Sequence, residues 1–474
     1  MNKQPLAFTA ESLAAAAGGE LSSGNRGTAI ERFSIDSRAI EPGQLFVAIR
    51  GERFDGHQFV GAALERGATG AIVERGFEMP AQGAPGSSVA PVVIRVDDTT
   101  TALQSVARDV RRRSGARVVA ITGSAGKTTT KEVTADFLSA RYQVFRNKGN
   151  LNNHIGLPLS LLELRSRPDV AIVELGMNHA GEIRTLVGIA EPEVRVWTNV
   201  GDAHLGFFAS PDAIADAKAE ILENAGPRDR LVANADDGRV MTRARRFPGQ
   251  TITFGIERRA DVHAYDVRQR GLDGMSANVR TPEGETVLDT PLLGHANLLN
   301  VLAATATALP LGVALDDIRE RARGLRPATH RGELLRLPGG ITVIDDSYNS
   351  NPTALRRSLE LLASSGGCAR KIAVVGEMLE LGGHSERLHI ECGRTAAAAR
   401  LDLLIAVGGQ PAVALADAAI AAGLPRQAVV HAPTKEEAAE LALERVRPGD
   451  LILVKGSRGI GTDFVVERLR TEFA

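Results

Sequence analysis

Residues 117–140, RVVAITGSAGKTTTKEVTADFLSA, contain the pattern that decides the fold. The apolar, mostly β-branched run from Val118 to Ile121 predicts a buried parallel strand, and two glycines follow within five residues. Val133 and Phe137 are spaced four residues apart, which places both side chains on one face of a helix. The stretch therefore predicts a strand, a glycine-rich loop and a helix.

The loop GSAGKT, from Gly123 to Thr128, lies where a phosphate can bind. A helix N-terminus has amide N–H groups without intrahelical acceptors and the positive end of the helix dipole, and both favour an anion. Lys127 would reach the terminal phosphates of a nucleotide, and the hydroxyl of Thr128 would bind Mg²⁺. Nucleotide contacts are expected from Gly123, Ser124, Ala125, Gly126, Lys127, Thr128 and Thr129.

One residue departs from the common phosphate-loop pattern. That pattern, GxxxxGK[ST], has a glycine where this chain has Ile121, so the loop here is shorter and begins at Gly123. The alternative is a tight turn with the Lys127 side chain in solvent. The local sequence leaves both interpretations open, and residues elsewhere in the chain have to decide between them.

The composition fits a globular protein of several domains with a small partner. At 474 residues the chain is too long for one hydrophobic core. Its 56 basic and 57 acidic residues nearly cancel, which argues against an extended nucleic-acid surface or a polybasic membrane patch. Cys368 and Cys392 form no CxxC motif, so we expect neither a disulfide framework nor a zinc knuckle. We find no signal-peptide pattern and no long apolar run, and expect a cytoplasmic protein.

Strand and helix patterns alternate along three α/β regions, which we place at 1–96, 97–328 and 329–474. This alternation predicts mostly parallel sheets: a central sheet of the phosphate-loop type and a C-terminal, Rossmann-like open sheet. The predicted strands are 46–49, 71–73 and 92–96 in the first region; 118–121, 170–175, 194–198 and 231–233 in the second; and 342–344, 372–375, 403–407 and 451–454 in the third.

The pattern changes after Gly249. TITFG, DVHAYDVRQR, GMSANVRT and ETVLDT alternate apolar and polar residues and are separated by turn signals, which predicts an antiparallel β insertion in the central region. A helix, NLLNVLAATATAL, follows from Asn297. Asn297 and Asn300 are expected either to cap this helix or to face a nucleotide base, and a cap is the simpler assumption.

Three side chains fall at one edge of the central sheet: Thr128 after the first strand, Glu174 at the end of the second and His204 just beyond the third. The carboxyl ends of parallel strands meet at one edge of a sheet, so the three could converge on one cation. Carboxylate and hydroxyl oxygens suit Mg²⁺, and an imidazole is a tolerable third ligand. Taken singly, Glu174 could cap the next helix and His204 could lie on a surface loop.

Two loops follow strands of the C-terminal sheet at the corresponding edge. They are DDSYNSNP, from Asp345 to Pro352, and KGSRG, from Lys455 to Gly459. Lys455 and Arg458 predict a cationic clamp for a substrate carboxylate or phosphate. The glycine spacing in GSRGIG is only a weak dinucleotide signal, because no further βαβ unit follows it.

Several stretches together resemble the Mur ligases of bacterial cell-wall synthesis, and the resemblance extends over all three regions. They are TGSAGKTT, KGNLNNHIGLPLSLL (148–162), VELGMNHAGEI (173–183), DAHLGFF (202–208), DDSYNSNP, GEMLELGGHSERLH (376–389) and LVKGSRG. The resemblance implies an ATP-dependent amide ligase of peptidoglycan precursor synthesis. Such an enzyme transfers the terminal phosphate of ATP to a peptide carboxylate, and an amine then attacks the acyl phosphate. The implied substrates are UDP-N-acetylmuramoyl-tripeptide and D-alanyl-D-alanine.

The same resemblance implies roles for charged residues around the phosphates. Lys127, Arg331 and Mg²⁺ would neutralise charge while the reactants are positioned. Lys218, fourteen residues after His204, resembles a lysine carried as a carbamate, whose oxygens could bind a second Mg²⁺. The implied metal ligands are thus Thr128, Glu174, His204 and the modified Lys218, and the implied catalytic residues are Lys127, Lys218, His204 and Arg331. On sequence alone, a helical lysine such as Lys218 is usually solvated.

The remaining roles are implied position by position. Asn297 resembles an adenine-contacting asparagine and Asp346 a ribose-binding acid, while the first region would bind the UDP end. Residues expected to contact the other two substrates are Ser37, Arg38, Asn150, Asn152, Asn153, Tyr348, Asn349, Lys455, Ser457 and Arg458. His295 and Ala296 depart from the family's Arg-His before that asparagine, which leaves other base contacts open.

Three alternatives remain at this point: a sister ligase that adds a diamino acid, a folylpolyglutamate-type ligase, and a nucleotide switch without ligation. We expect a monomer whose third domain closes over the bound substrates, since the reactants must meet in a dry cleft.

Overall fold

The computed structural model describes residues 4–51, 54–79, 90–147, 149–202 and 205–473. Within these ranges the strands, in chain order, are β1 (Phe8–Thr9), β2 (Glu20–Ser23), β3 (Ala29–Ile30), β4 (Arg32–Ser34), β5 (Gln44–Val47), β6 (Gly70–Glu74), β7 (Val92–Val96), β8 (Arg117–Thr122), β9 (Val144–Arg146), β10 (Val170–Glu174), β11 (Val194–Trp197), β12 (Arg230–Asn234), β13 (Gln250–Gly255), β14 (Val262–Gln269), β15 (Met275–Thr281), β16 (Gly284–Thr290), β17 (Glu333–Arg336), β18 (Thr342–Asp346), β19 (Arg370–Gly376), β20 (Leu403–Val407), β21 (Val429–Ala432) and β22 (Asp450–Lys455).

The α-helices of the described residues alternate with these strands. They are α1 (Ala10–Ala16), α2 (Val60–Glu65), α3 (Thr99–Ser114), α4 (Lys127–Leu138), α5 (Gly156–Leu162), α6 (Glu182–Ala190), α7 (Pro211–Ala219), α8 (Gly238–Ala244), α9 (Gly294–Ala308), α10 (Leu315–Arg323), α11 (Pro352–Ser364), α12 (Ser385–Ala398), α13 (Gln410–Ala421), α14 (Lys435–Arg445) and α15 (Asp463–Glu472). No helix among the described residues is long and apolar enough to cross a membrane.

The chain forms two compact units. The first comprises Met1–Ala120, Tyr142–Met177 and Gly181–Glu193, and the second comprises Ile121–Arg141, Asn178–Ala180 and Val194–Ala474. The α/β class with mostly parallel sheets is as predicted. The three domains placed at 1–96, 97–328 and 329–474 remain a prediction beside this division.

The first unit contains a five-stranded sheet in the order β2-β7-β6-β5-β4. Its strands pair in parallel, except for the antiparallel edge strand β2. The central strands are almost wholly apolar, as expected for strands buried on both faces, and Phe46, Val60 and Val73 share one core cluster. In the same unit β9 pairs in parallel with β10, and the amide of Arg117 in β8 donates to the carbonyl of Asp169 at 3.0 Å.

The second unit contains the end of β8 and the strands β11, β12, β13 and β14. The amide of Thr198, just after β11, donates to the carbonyl of Thr122 at 3.0 Å. β11, β12, β13 and β14 pair in parallel, whereas β15 pairs antiparallel with both β14 and β16. The prediction for TITFG was therefore wrong in orientation: this strand, β13, extends the parallel sheet, and the antiparallel part is a continuation at its edge.

A six-stranded sheet in the order β17-β18-β22-β19-β20-β21 completes the second unit. It is parallel apart from β17. Ile372, Val374, Ile405, Ile452 and Val454 form its core beside apolar faces of α14 and α15. Because β18, β22 and β19 are neighbours, the loops that follow their carboxyl ends emerge side by side, as Rossmann-like topology requires.

Candidate functional site

The glycine loop joins β8 to α4, and two of its positions have no room for a side chain. A Cβ on Gly123 would lie 1.9 Å from Thr198 Oγ1, and one on Gly126 would lie 2.3 Å from Asn300 Oδ1. Gly126 is also left-handed, with φ of 82°, immediately before the first residue of α4. Glycine is needed at both positions because the backbone approaches its neighbours too closely for any other residue.

The loop is fixed by the end of β11, which sequence reasoning did not single out. The amides of Ser124 and Ala125 donate to the carbonyl and side-chain oxygens of Asn199 at 3.0 and 2.9 Å, and Thr198 Oγ1 donates to the carbonyl of Ala125 at 2.7 Å. Since these two loop amides already have acceptors, an anion at this helix N-terminus would meet the first turn of α4 instead. The TN pair after a strand is the only sequence signal for this contact.

Lys127 lies over the loop rather than in bulk solvent. Its ammonium donates to the carbonyl of Gly123 at 2.8 Å, and both Lys127 and Thr128 are half-buried at the start of α4. The alternative of a wholly solvated lysine is therefore wrong.

Helix α9 packs against Gly126 and the first turn of α4 through Asn300. Asn300 is buried, accepts from Thr130 Oγ1 at 3.2 Å, and donates to Asn297 Oδ1 at 3.2 Å. The helix begins at Gly294, and Asn297 donates to the carbonyl of Leu293 at 2.9 Å. The predicted N-cap at Asn297 was therefore wrong, because the helix starts three residues earlier.

Lys218 lies near the end of α7 and is only 1% exposed. This burial argues against the alternative of a solvated helical lysine, and the carbamate stays a prediction. A buried ammonium is costly unless it is paired or chemically modified. Its burial thus separates it from an ordinary surface lysine.

Glu174 ends β10 in the first unit and is also buried. Its Oε1 accepts from Asn152 Nδ2 at 2.8 Å, and its backbone amide donates to the buried Asn147 at 3.2 Å. Glu174 does not cap the next helix, because α6 begins at Glu182. His204, the other predicted metal ligand, lies outside the described residues. The described residues contain no group of three or more His, Cys, Asp and Glu side chains suited to a metal ion.

The asparagines of GNLNN differ in what they contact. Asn150 is exposed, whereas Asn152 is half-buried against Glu174. Asn153 Oδ1 accepts from the amide of Gly156 at 2.8 Å at the start of α5. Asn147, which sequence reasoning missed, donates to the carbonyl of Leu151 at 3.1 Å and so fixes the loop. Of the three predicted asparagines, Asn150 and Asn153 are exposed and Asn152 is half-buried.

The Asp36–Arg38 loop carries an exposed guanidinium. Arg38 donates to both carboxylate oxygens of Asp36, at 3.0 and 2.9 Å, and this hydrogen bonding lowers the pKa of Asp36 to about 2. Ser37 between them is half-buried. The pair is neutral overall and largely exposed, so it contributes little to stability.

In the C-terminal sheet, two arginines lie against one aromatic ring. The guanidinium carbon of Arg331 is 4.0 Å from the ring centroid of Tyr348, and that of Arg458 is 5.2 Å from it. Arg458 also donates to the Tyr348 hydroxyl at 3.0 Å. Neither guanidinium has an ion pair with another described residue, so the cluster carries positive charge towards solvent. The structure brings these three predicted residues together.

Lys455 differs from the predicted clamp. It is 2% exposed, and its ammonium donates to Asp346 Oδ2 at 2.6 Å and to the carbonyl of Asn349 at 3.1 Å. Asp346 also accepts from Ser358 at 2.9 Å. Lys455 would have to leave a buried ion pair to reach a substrate, so in this structure it positions the loop and Arg458 is the accessible cation.

A further contact links the loop after β11 to the C-terminal sheet. Asp202 accepts from Thr353 Oγ1 and from Arg356, both at 3.1 Å, and these two residues lie in the first turns of α11. The amide of Gly206 donates to the carbonyl of Glu380 at 2.8 Å. Sequence reasoning could not find this contact, because its partners are more than 150 residues apart.

Three family models match the chain: "Mur ligase family, catalytic domain" at 29–111, "Mur ligase middle domain" at 121–308 and "Mur ligase, glutamate ligase domain" at 330–458. The chain is 35% identical to a UDP-N-acetylmuramoyl-tripeptide--D-alanyl-D-alanine ligase of Bacillus subtilis, over 93% of each chain. It is 38% identical to the ligase of the same name from Synechocystis, over 94% of this chain and 92% of the relative.

Solved structures give the same result at the level of the whole fold. MurF from Acinetobacter baumannii superposes with a TM-score of 0.86 at 33% identity, covering 99% of this chain and 100% of that one. MurF from Thermotoga maritima, solved in complex with ADP, has a TM-score of 0.81 at 29% identity, covering 94% and 98%. The chain therefore belongs to the Mur ligase family.

Proposed function

We propose that this chain is an ATP-dependent ligase that joins D-alanyl-D-alanine to UDP-N-acetylmuramoyl-tripeptide during peptidoglycan precursor synthesis. The observation that carries the proposal is the glycine loop held by Asn199 and packed against Asn300, in a chain whose relatives of that name match it nearly end to end. A cytoplasmic, monomeric enzyme is part of the proposal.

The reaction proceeds in two balanced steps. A carboxylate oxygen of the tripeptide attacks the terminal phosphorus of ATP, so an acyl phosphate forms and ADP leaves. The amine of the dipeptide then attacks the acyl carbon, and the tetrahedral intermediate expels inorganic phosphate as the amine loses a proton. A carboxylate is a poor electrophile at neutral pH, so the protein's task is to position the reactants and to neutralise charge.

The second unit supplies the proposed nucleotide site. Gly123, Gly126 and the first turn of α4 surround the phosphates, and Lys127 exchanges its bond to the Gly123 carbonyl for a phosphate oxygen. Asn297 contacts the base and Asp346 the ribose. Ser124, Ala125, Thr128 and Thr129 complete the loop.

The donor set suits Mg²⁺, since it consists largely of hydroxyl, carboxylate and carbamate oxygens. Thr128, Glu174, His204 and a carbamylated Lys218 would hold two Mg²⁺ ions, which would supply positive charge beside the phosphates.

The other two substrates have separate sets of proposed contacts. Ser37 and Arg38 bind the UDP end of the muramoyl tripeptide, and Asn150, Asn152 and Asn153 lie along its peptide. Arg331 neutralises the transferred phosphate. Tyr348, Asn349, Lys455, Ser457 and Arg458 surround the dipeptide, with Arg458 as its accessible cation.

A phosphate-release assay tests the proposal. With ATP, Mg²⁺ and the UDP-tripeptide, we expect release that depends on D-alanyl-D-alanine and is not supported by meso-diaminopimelate or lysine. Lys127→Ala should abolish it, whereas Lys435→Ala, at a half-buried lysine of α14 with no proposed role in the reaction, should leave it unchanged. Release with a diamino acid, or nucleotide binding without any acceptor-dependent release, would overturn the proposal.

A further inference from the structure

The segment MLELGG, Met378–Gly383, follows β19 and has no role in the reaction as proposed. Its backbone is held at successive residues. The amide of Met378 donates to His389 Nε2, and that of Leu379 donates to Ser457 Oγ, both at 2.9 Å. The carbonyl of Glu380 accepts from Gly206 at 2.8 Å. The segment is therefore a fixed element, although it lies outside any strand or α-helix.

The hydrogen bonds also define the state of the buried His389 ring. Its Nδ1 donates to the carbonyl of Ser385 at 2.7 Å, so the neutral ring keeps Nε2 as the acceptor for Met378. Desolvation lowers the pKa of His389, which favours the same neutral form. Near neutral pH, His389 is therefore neutral and accepts the hydrogen bond from the Met378 amide that fixes the segment.

On this fixed backbone the side chain of Leu379 is 40% exposed. A single exposed leucine is ordinary on a protein surface, so its exposure alone does not indicate a binding contact. The position of Leu379 does indicate one. A Cβ placed on Gly459 would lie 2.8 Å from Leu379 Cδ1, so the leucine lies against the residue that follows Arg458. An apolar side chain and an accessible cation without an ion pair to another described residue therefore adjoin each other at the carboxyl edge of this sheet.

We infer that Leu379 is a specificity-determining residue that contacts the methyl group of the acceptor's C-terminal D-alanine while Arg458 binds the adjacent carboxylate. This inference rests on the proposed function. The terminal residue of that dipeptide carries a methyl group and a carboxylate on one carbon, which matches an apolar contact beside a guanidinium. Ser457 serves both halves of the contact, since it holds Leu379 and immediately precedes Arg458. A prearranged contact of this kind costs little ordering entropy on binding.

The test compares acceptors that differ at this methyl group. In the wild type, D-alanyl-D-alanine should be preferred over D-alanyl-glycine in kcat/KM by about 10- to 200-fold, the range for one buried methyl or methylene group. In Leu379→Ala this preference should fall towards unity, with the loss in the KM for the dipeptide and no change in the KM for ATP. Leu379→Met, which keeps an apolar side chain of similar volume, should retain the preference.

Val287→Ala is the matched control, because Val287 is 45% exposed on β16 and its truncation removes a similar apolar surface. It should leave the acceptor preference unchanged. A folded Leu379→Ala with the wild-type preference overturns the inference and leaves the proposed function intact. If Leu379→Ala does not fold, Leu379→Met must keep the preference while the bulkier Leu379→Phe lowers it, and equal preference in these two overturns the inference. A wild type that releases no phosphate with D-alanyl-D-alanine overturns both the inference and the proposed function.

Discussion

Gly126→Ala is the substitution that tests most sharply how the glycine loop is built. Two costs add at this position. A non-glycine residue in the left-handed region costs about 1–2 kcal/mol, and Gly126 has φ of 82°. The new methyl would also lie 2.3 Å from Asn300 Oδ1, an amide that cannot retreat freely because it is bonded to Thr130 and Asn297. Overpacking of this kind costs about 1–3 kcal/mol.

Gly43→Ala is the matched control. Gly43 has φ of 85°, but a Cβ added there would meet no atom within 4 Å, so it bears the backbone cost alone. Chemical unfolding and ADP titration of both variants separate the two costs. Relative to Gly43→Ala, Gly126→Ala should bear a further cost of about 1–3 kcal/mol. This cost is divided between a lower free energy of unfolding and weaker binding of ADP. If all of it appears in affinity, the Kd rises about 5- to 150-fold. Equal stability and equal ADP affinity in the two variants would refute the packing argument.

Three further predictions follow from buried groups. Asp346→Ala should destabilise the protein by about 3–5 kcal/mol in denaturant unfolding, because it leaves the buried Lys455 ammonium uncompensated; a loss below about 1 kcal/mol would contradict this. Desolvation lowers the pKa of His389 in the folded protein from its ordinary value of 6.5. Just below pH 6.5 the unfolded chain therefore binds a proton at His389 that the folded protein does not. Stability should therefore fall as pH falls below 6.5, by at most about 1.4 kcal/mol per pH unit, and His389→Gln should lack this component. Burial raises the pKa of Cys392 to about 12, so a thiol reagent at pH 8 should modify only Cys368 until the protein is unfolded.

Local pattern was sufficient for the strands and for the loops that follow them. Apolar β-branched runs such as 118–121 and 451–454 are buried on both faces, which is why they stand out without knowledge of the fold. Parallel topology then places the loops after β18 and β22 together, and with them Tyr348 and Arg458. These features were predictable because each depends on a short segment and one general rule of sheet geometry.

The surroundings of individual side chains were harder to predict, because they depend on where a helix begins and on partners distant in sequence. Asn297 looked like a helix cap because the apolar pattern begins there, but α9 extends back to Gly294. Lys455 looked like a free cation, whereas Asp346, 109 residues earlier, pairs with it. Nothing in the local sequence distinguishes Lys218 from a solvated helical lysine; the family resemblance singled it out, and the fold buries it. Tertiary packing decides each of these cases, and a single sequence carries no local sign of it.

Strand orientation was the other limit. TITFG has the alternation typical of antiparallel strands, but β13 pairs in parallel with β12 over five residues. Alternation reports that one face of a strand is more polar, and it does so at the edge of a parallel sheet as well as in a hairpin. The direction of pairing depends on the connection, here through α8.

The central claim is ligation, and product mass together with reaction stoichiometry tests it most directly. The purified protein is incubated with ATP, Mg²⁺, UDP-N-acetylmuramoyl-tripeptide and an equimolar mixture of D-alanyl-D-alanine and meso-diaminopimelate, and the products are resolved by mass spectrometry. We predict a single new UDP-linked product whose mass exceeds that of the tripeptide by the dipeptide less one water, with one ADP and one phosphate formed per product. A product carrying diaminopimelate, or ADP formed without any amide product, would contradict the account.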